Sequence, residues 1–162
     1  MYEYSNGTKL DDRSIEQMVQ RVAWLRALHQ WFHGAHFVAR GCSYAGDHAF
    51  LYDKIYTGIQ DEVDGAMEKV IGLTGSEQTA CPVMLAHRAL NILRRYPSPA
   101  GMDPLEIAKT GLMMERDYLD FVSEMFHDME QRGVLPLGLN DQLAASANTH
   151  EGYVYLLQQR AR

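Results

Sequence analysis

H-Q-W-F-H-G-A-H-F (His29–Phe37), then a break holding Gly41 and Gly46, then D-H-A-F-L-Y-D-K-I-Y (Asp47–Tyr56), then D-E-V-D-G-A-M-E-K-V-I-G-L (Asp61–Leu73) form one continuous stretch of the chain. Histidines gather toward the end of one apolar-periodic segment, and carboxylates recur along the next. A helical protein collects ligands for a transition metal in this way, with imidazole and carboxylate as donors. The same stretch decides the fold, because both halves carry helical and not strand periodicity.

Working outward, Ile15, Met18, Val22, Leu25 and Phe32 continue the apolar stripe back toward the N-terminus. Ser14 and Gln17 have the S-x-x-Q form of a capping box, so a first helix is predicted from about Ser14 to about Val38. Asp47 is the expected cap of a second helix, carried inward by Leu51, Tyr52, Ile55, Ile59, Val63, Ala66 and Val70. That helix should stop at Gly72 or Gly75, since glycine tolerates the left-handed conformation of a helix end. Residues 82–95 read as a short helix inside a long connection. After the turn Y-P-S-P-A-G, Asp103-Pro104-Leu105-Glu106 is the strongest start signal in the chain, with Asp as cap and Pro at the first helical position. A third long helix follows, with Leu105, Ala108, Leu112, Leu119, Val122, Phe126 and Met129 inward, ending at Gly133. A last helix is predicted from about Asn140 to Gln159, with Leu143, Ala147, Val154 and Leu157 inward. The expected fold is all-α: a four-helix bundle with a short extra helix in the connection between helices two and three.

Composition bounds the function. A chain of 162 residues, 46% hydrophobic, is expected to form one domain over 1–162 with a full core. The formal charge of −6 argues against a general nucleic-acid binder, which needs a basic face. Glu3, Lys9, Asp11, Asp12 and Arg13 mix both signs near the N-terminus, so no polybasic arm is expected there. Cys42 and Cys81 form no C-x-x-C pair, which suits a reduced, cytoplasmic setting. No apolar run approaches the roughly 20 residues of a membrane span, and no signal-peptide-like segment opens the sequence.

Helical geometry then places the candidate ligands. At about 100° per residue, Asp53, Asp64 and Glu68 fall on the side of the second helix opposite its apolar arc. Asp64 and Glu68 are i and i+4, so both can grip one cation, and any remaining ligands must then come from another subunit. His29, His33 and His36 lie along the apolar stripe of the first helix, and His48 begins the second. Glu124-Met-Phe-His127 has the E-x-x-H spacing of di-iron bundles, but both residues turn away from the apolar face and read as a surface pair. Glu115 and His150 lie within apolar stripes, and Glu62 at the margin of one. Together they form either a metal site inside the bundle core or a buried hydrogen-bonded Glu–His pair.

At these residues the chain resembles the Dps family of mini-ferritins. The family's first-helix motif, His-Trp-x-x-x-Gly-x-x-Phe, is matched by His29, Gly34 and Phe37, with Gln30 in the tryptophan position. Its second-helix pattern is matched by His48, Asp53, Asp64 and Glu68, except that His48 stands one residue too far from Asp53 and Ala49 occupies the register position. A segment including Gly41 to Asp47 is additional. The ending N-T-H-E-G-Y-V-Y-L-L-Q-Q-R and the long second-to-third connection with its short helix are also similar, so the resemblance spans nearly the whole chain.

The resemblance implies a ferroxidase that oxidises Fe(II), with hydrogen peroxide or oxygen as oxidant, and stores Fe(III) inside a hollow dodecamer, protecting against oxidative damage under stress. Its metal ligands would be His29 and His48 from one subunit, Asp64 and Glu68 from the facing one, and Asp53 as a weak ligand or orienter of water. A local bulge would restore His48, or His33 or His36 would substitute. Asp128 and Glu130 would line an acidic pore that admits iron. The family's lysine-rich tail is missing from this sequence, so DNA binding is not expected. Two other outcomes stay open: a ferritin-like enzyme using Glu62, Glu115 and His150 inside each bundle, and a Dps-fold shell without ferroxidase activity.

Overall fold

The structure, a computed structural model, describes residues 10–162. Glu3 and Lys9 of the mixed-charge N-terminal segment lie outside the described residues. The described chain is all-helical: α1 (Asp12–Val38), α2 (Asp53–Thr74), α3 (Pro82–Leu93), α4 (Pro104–Gln131) and α5 (Leu137–Arg160). A 3₁₀ turn at Gly41–Ser43 and a π-helical segment at Gly46–Tyr52 lead into α2, and a second 3₁₀ turn, Glu77–Ala80, leads into α3. Helices α1 and α2 pack on each other, as do α4 and α5, and α3 lies against α1. This is the four-helix bundle with an extra helix in the second-to-third connection that the periodicity predicts.

The helix ends follow local chemistry, with corrections to the sequence reading. α1 is capped by Asp11, whose carboxylate accepts the Ser14 N–H at 2.8 Å. Ser14 is buried instead and its hydroxyl accepts from Arg132, while Gln17 reaches across to Asp128, so the Ser14–Gln17 capping box does not form. Tertiary partners outcompete the local pair. Asp103 caps α4 as expected, accepting from the Leu105 N–H at 2.8 Å. α2 ends on Gly75 at φ +65°, where its N–H bonds to the Ile71 carbonyl. α5 begins three residues earlier than expected, at Leu137 after Pro136, because Pro136 fixes the entering backbone and its carbonyl accepts from Leu139 and Asn140.

The core is contiguous. Met18, Val22, Leu25 and Phe32 of α1 meet Ile55, Ile59, Ala66 and Val70 of α2. On α4 the buried stripe is Ile107, Ala108, Gly111, Met114, Tyr118, Val122, Met125 and Met129. Of the residues predicted inward there, Ala108, Val122 and Met129 are buried, while Leu105, Leu112, Leu119 and Phe126 sit at the margin. The stripe is rotated because large polar-tipped residues, Tyr118 and Glu115, belong to the interior. On α5, Leu143 and Leu157 are buried and Ala147 and Val154 only partly so. Ser146, His150 and Tyr153 fill the remaining inward positions. Gly111 lets α4 approach α1: a Cβ there would stand 2.8 Å from the ring of fully buried Phe32. Trp31 is likewise a core residue, its indole N–H donating to the Pro97 carbonyl at 3.0 Å and tying the Y-P-S-P turn to α1.

Candidate metal centre

The stretch between α1 and α2 is anchored at two places. Asp47 does not cap a helix. It is 2% exposed and holds the Arg160 guanidinium at 2.7 and 2.9 Å, while the Ser43 hydroxyl donates to it at 2.7 Å. A few residues on, Leu51 and Tyr52 enter the core. Between these anchors the backbone carries one residue more than an α-helix accommodates, and the π segment Gly46–Tyr52 absorbs it. The hydrogen bonds of a π turn span five residues, so His48 and Asp53 stand one turn apart on one face. In an α-helix that relation belongs to i and i+4. The departure of His48 from the expected register is thereby cancelled in three dimensions.

His48 is also oriented. Its Nδ1–H donates to the His36 carbonyl at 3.0 Å, and His36 Nδ1–H donates to the His48 carbonyl at 3.0 Å. The two rings stack at 3.8 Å. Fixing Nδ1 as the protonated nitrogen leaves Nε2 of each neutral ring as the lone-pair donor, the arrangement usual for metal-binding histidine. Asp53 is half-buried and accepts the Tyr56 hydroxyl at 3.0 Å. Tyr56 lies among the histidines, with its ring 4.6 Å from that of His33, 5.3 Å from His36 and 5.9 Å from His29.

His29, His33 and His36 are half-buried along the α1–α2 seam, at the edge of the apolar stripe and not within the core. Burial, then the neighbouring His33 and Arg26, hold the His29 pKa below the ordinary imidazole value, so its neutral form prevails at neutral pH. His29 and Asp64 line one groove of about 400 Å³ together with Arg26, Gln30, Gln60 and Val63. Glu68 lines the next depression along α2, beside Lys69 and Gln142. Asp64 and Glu68 are both exposed and point away from the chain's own core, as the helical arc predicts. Within one chain these residues do not close into a coordination shell: among the described residues, no three His, Cys, Asp or Glu side chains converge on a common metal position. The sequence-predicted set His29, His48, Asp53, Asp64 and Glu68 is therefore distributed along the α1–α2 face.

The other predicted constellation does meet. In the bundle core, His150 is fully buried, with Nδ1 at 2.5 Å from Glu115 and Nε2 at 3.0 Å from Glu62. Arg21, buried on α1, donates to Glu62 at 2.9 Å and to Gln142 at 2.9 Å. Tyr118 and Ser146 complete the network, the Ser146 hydroxyl donating to Glu62. Burial alone would lower His150, but Glu115 and Glu62 more than offset it and raise its pKa to about 9. Burial likewise opposes ionisation of Glu62, yet His150, Arg21 and Ser146 hold it down at about 2. Complete burial pushes the Glu115 carboxyl up against the pull of His150. The positive charge that a cation would bring to this core is already supplied by Arg21 and His150, so the buried hydrogen-bonded pair is the arrangement formed. Arg21 was missed by the sequence reading, and an arginine inside the apolar stripe of α1 was its signal. Glu124 and His127 are both exposed, as expected of a surface pair. Asp128 is paired with Arg13 and Arg132, while Glu130 is exposed.

Fold and core together define a ferritin-like four-helix bundle. No protein-family model matches the sequence, and no curated protein matches it. Solved structures do match. The tetragonal form of Mycobacterium smegmatis Dps superposes with a TM-score of 0.72 at 14% identity, over 90% of this chain and 84% of that one. A C-terminal deletion mutant of Mycobacterium smegmatis Dps gives 0.75 at 14% identity, over 93% of this chain and 97% of that one. The chain thus has a Dps-like fold.

Proposed function

We propose that this chain is a Dps-like mini-ferritin that oxidises Fe(II) at a site between subunits and stores Fe(III) in a hollow oligomer, a dodecamer of this single-domain protein in the cytoplasm. The observation that carries the proposal is the π turn. It brings His48 into helical register with Asp53, at the head of a helix whose outward face continues through Asp64 and Glu68. A π turn is energetically poorer than the α-helix it interrupts, and here it sets an oriented imidazole one turn before a carboxylate.

Iron is the substrate. His29 and His48 of one protomer offer imidazole nitrogen donors, and Asp64 and Glu68 of a second offer carboxylates, with Glu68 bridging. Asp53, held by Tyr56, ligates weakly or orients water. Hard carboxylate oxygens favour Fe(III) over Fe(II) and so favour oxidation. Two Fe(II) ions give one electron each, and one hydrogen peroxide takes both and leaves, with two protons, as two waters. No hydroxyl radical is released when the electrons move as a pair, which would detoxify both reactants.

Anaerobic titration with Fe(II), followed by one peroxide per two irons, tests the proposal. Saturable iron binding and a fast rise in Fe(III) absorbance are expected, from a species that light scattering sizes as an oligomer. A folded monomer, or iron that is neither bound nor rapidly oxidised, would sink it. Metal-free shell function is the outcome if the oligomer forms and iron is ignored.

A further inference from the structure

α1 presents a second donor arrangement that the iron proposal does not use in full. His29 and His33 are i and i+4, on adjacent turns of one helix face. Their ring centroids stand 5.8 Å apart with planes inclined by 45°. Two imidazoles on one tetrahedral ion, with metal–nitrogen bonds of about 2.0–2.1 Å, have centroids roughly 5 Å apart. A small side-chain rotation closes that difference. The two rings also differ from their neighbours: His36 and His48 commit Nδ1 to backbone carbonyls, whereas no ring nitrogen of His29 or His33 is hydrogen-bonded among the described residues. Both rings are half-buried on the face shared with Tyr56.

We propose that His29 and His33 form a chelate for a borderline divalent cation, Zn(II), Cu(II) or Ni(II), distinct in chemistry from the carboxylate-rich iron site. The donor set decides the metal. Two imidazole nitrogens from one helix favour ions late in the divalent series, where Cu(II), Ni(II) and Zn(II) outrank Fe(II). Water fills the positions the two histidines leave. The chelate stands on α1 alone. Only its consequence, competition for His29 with iron, rests on the iron reading.

The test is a Zn(II) titration by calorimetry, with Cu(II) as a spectroscopic probe, on full-length tag-free protein. One ion per chain is expected, with a Cu(II) signal split by two nitrogens. His33→Ala and His33→Gln should each weaken Zn(II) binding at least tenfold and remove one nitrogen coupling, and His29→Ala should do the same. Glu124→Ala, on the exposed face of α4, should leave Zn(II) affinity within twofold of the wild type. Unchanged Zn(II) affinity and two-nitrogen coupling in both His33 variants would overturn the chelate. Peroxide-driven Fe(II) oxidation, measured on the same samples, separates the two proposals: oxidation that survives in His33→Gln while Zn(II) binding is lost supports a chelate whose second donor, His33, the iron site does not use. Wild-type protein that binds Zn(II) but never oxidises iron defeats the iron reading and leaves the chelate standing.

Discussion

His36 and His48 exchange hydrogen bonds reciprocally, each ring Nδ1–H on the other's carbonyl at 3.0 Å, so that the end of α1 orients the imidazole at the head of α2. His36→Ala keeps the backbone carbonyl that accepts from His48 but removes the stacked ring and its donation to the His48 carbonyl, and should damage a site that His36 does not itself ligate. In His36→Ala, the fast phase of Fe(II) oxidation is expected to fall about 10–100-fold, the usual cost of losing an outer-sphere partner. Stopped-flow absorbance after peroxide mixing checks this. An unchanged rate would mean that the stacked His36 ring does not hold His48 for the chemistry.

Asp64 and Glu115 separate an inter-subunit site from one inside the bundle. Asp64→Ala is expected to abolish fast iron oxidation while leaving the melting temperature within a few degrees of the wild type, because Asp64 is exposed. Glu115→Gln should do the opposite. Breaking a buried pair costs about 3–5 kcal/mol, yet oxidation should persist below the lowered melting temperature. Parallel kinetics and thermal melts decide the case, and loss of oxidation in Glu115→Gln alone would transfer the site to the core.

Stability should depend on pH at both ends through the core network. His150, raised to about 9, contributes stability that is complete below its ordinary value near 6.5 and is lost as pH rises through 9. Glu62, held at about 2, contributes above its ordinary value near 4.5 and loses that contribution as pH falls toward 2. Urea unfolding at pH 5, 7 and 9.5 should show a weaker fold at pH 9.5 than at pH 7. His150→Gln, weaker throughout, should have a shallower alkaline slope. Equal slopes would remove His150 from the account.

Arg160 and Asp47 fasten the last turn of α5 to the π segment. Arg160→Ala leaves a buried carboxylate without its cation, at a cost of about 2 kcal/mol, moderated because the guanidinium is a quarter exposed. Amide exchange should quicken across residues 41–52 and remain slow in α4. Uniform protection in both regions would show that the clamp does not hold the segment.

Gly111 leaves no room for a side chain. Gly111→Ala is expected to destabilise by about 1–3 kcal/mol, because neither α4 backbone nor fully buried Phe32 can yield cheaply. Chemical denaturation measures it.

The sequence by itself determined the helices, their order and the outward face of α2. Periodicity of 3.6 residues and the caps at Asp103 and Gly75 act over a few neighbours, and Asp64 and Glu68 are exposed because Ile55, Ile59, Ala66 and Val70 are not. Only the tertiary structure decided how the insertion after α1 is accommodated. Asp47 looked like a cap because its pairing with Arg160 spans most of the chain and leaves no local trace. That distant clamp, opposed by Leu51 and Tyr52 in the core, forces the π turn and returns His48 to register. The core was settled in the same way: Glu62, Glu115 and His150 were legible singly, but their neutralisation by Arg21 required four helices to meet, since a buried charge is tolerable only where its partner arrives from elsewhere in the fold.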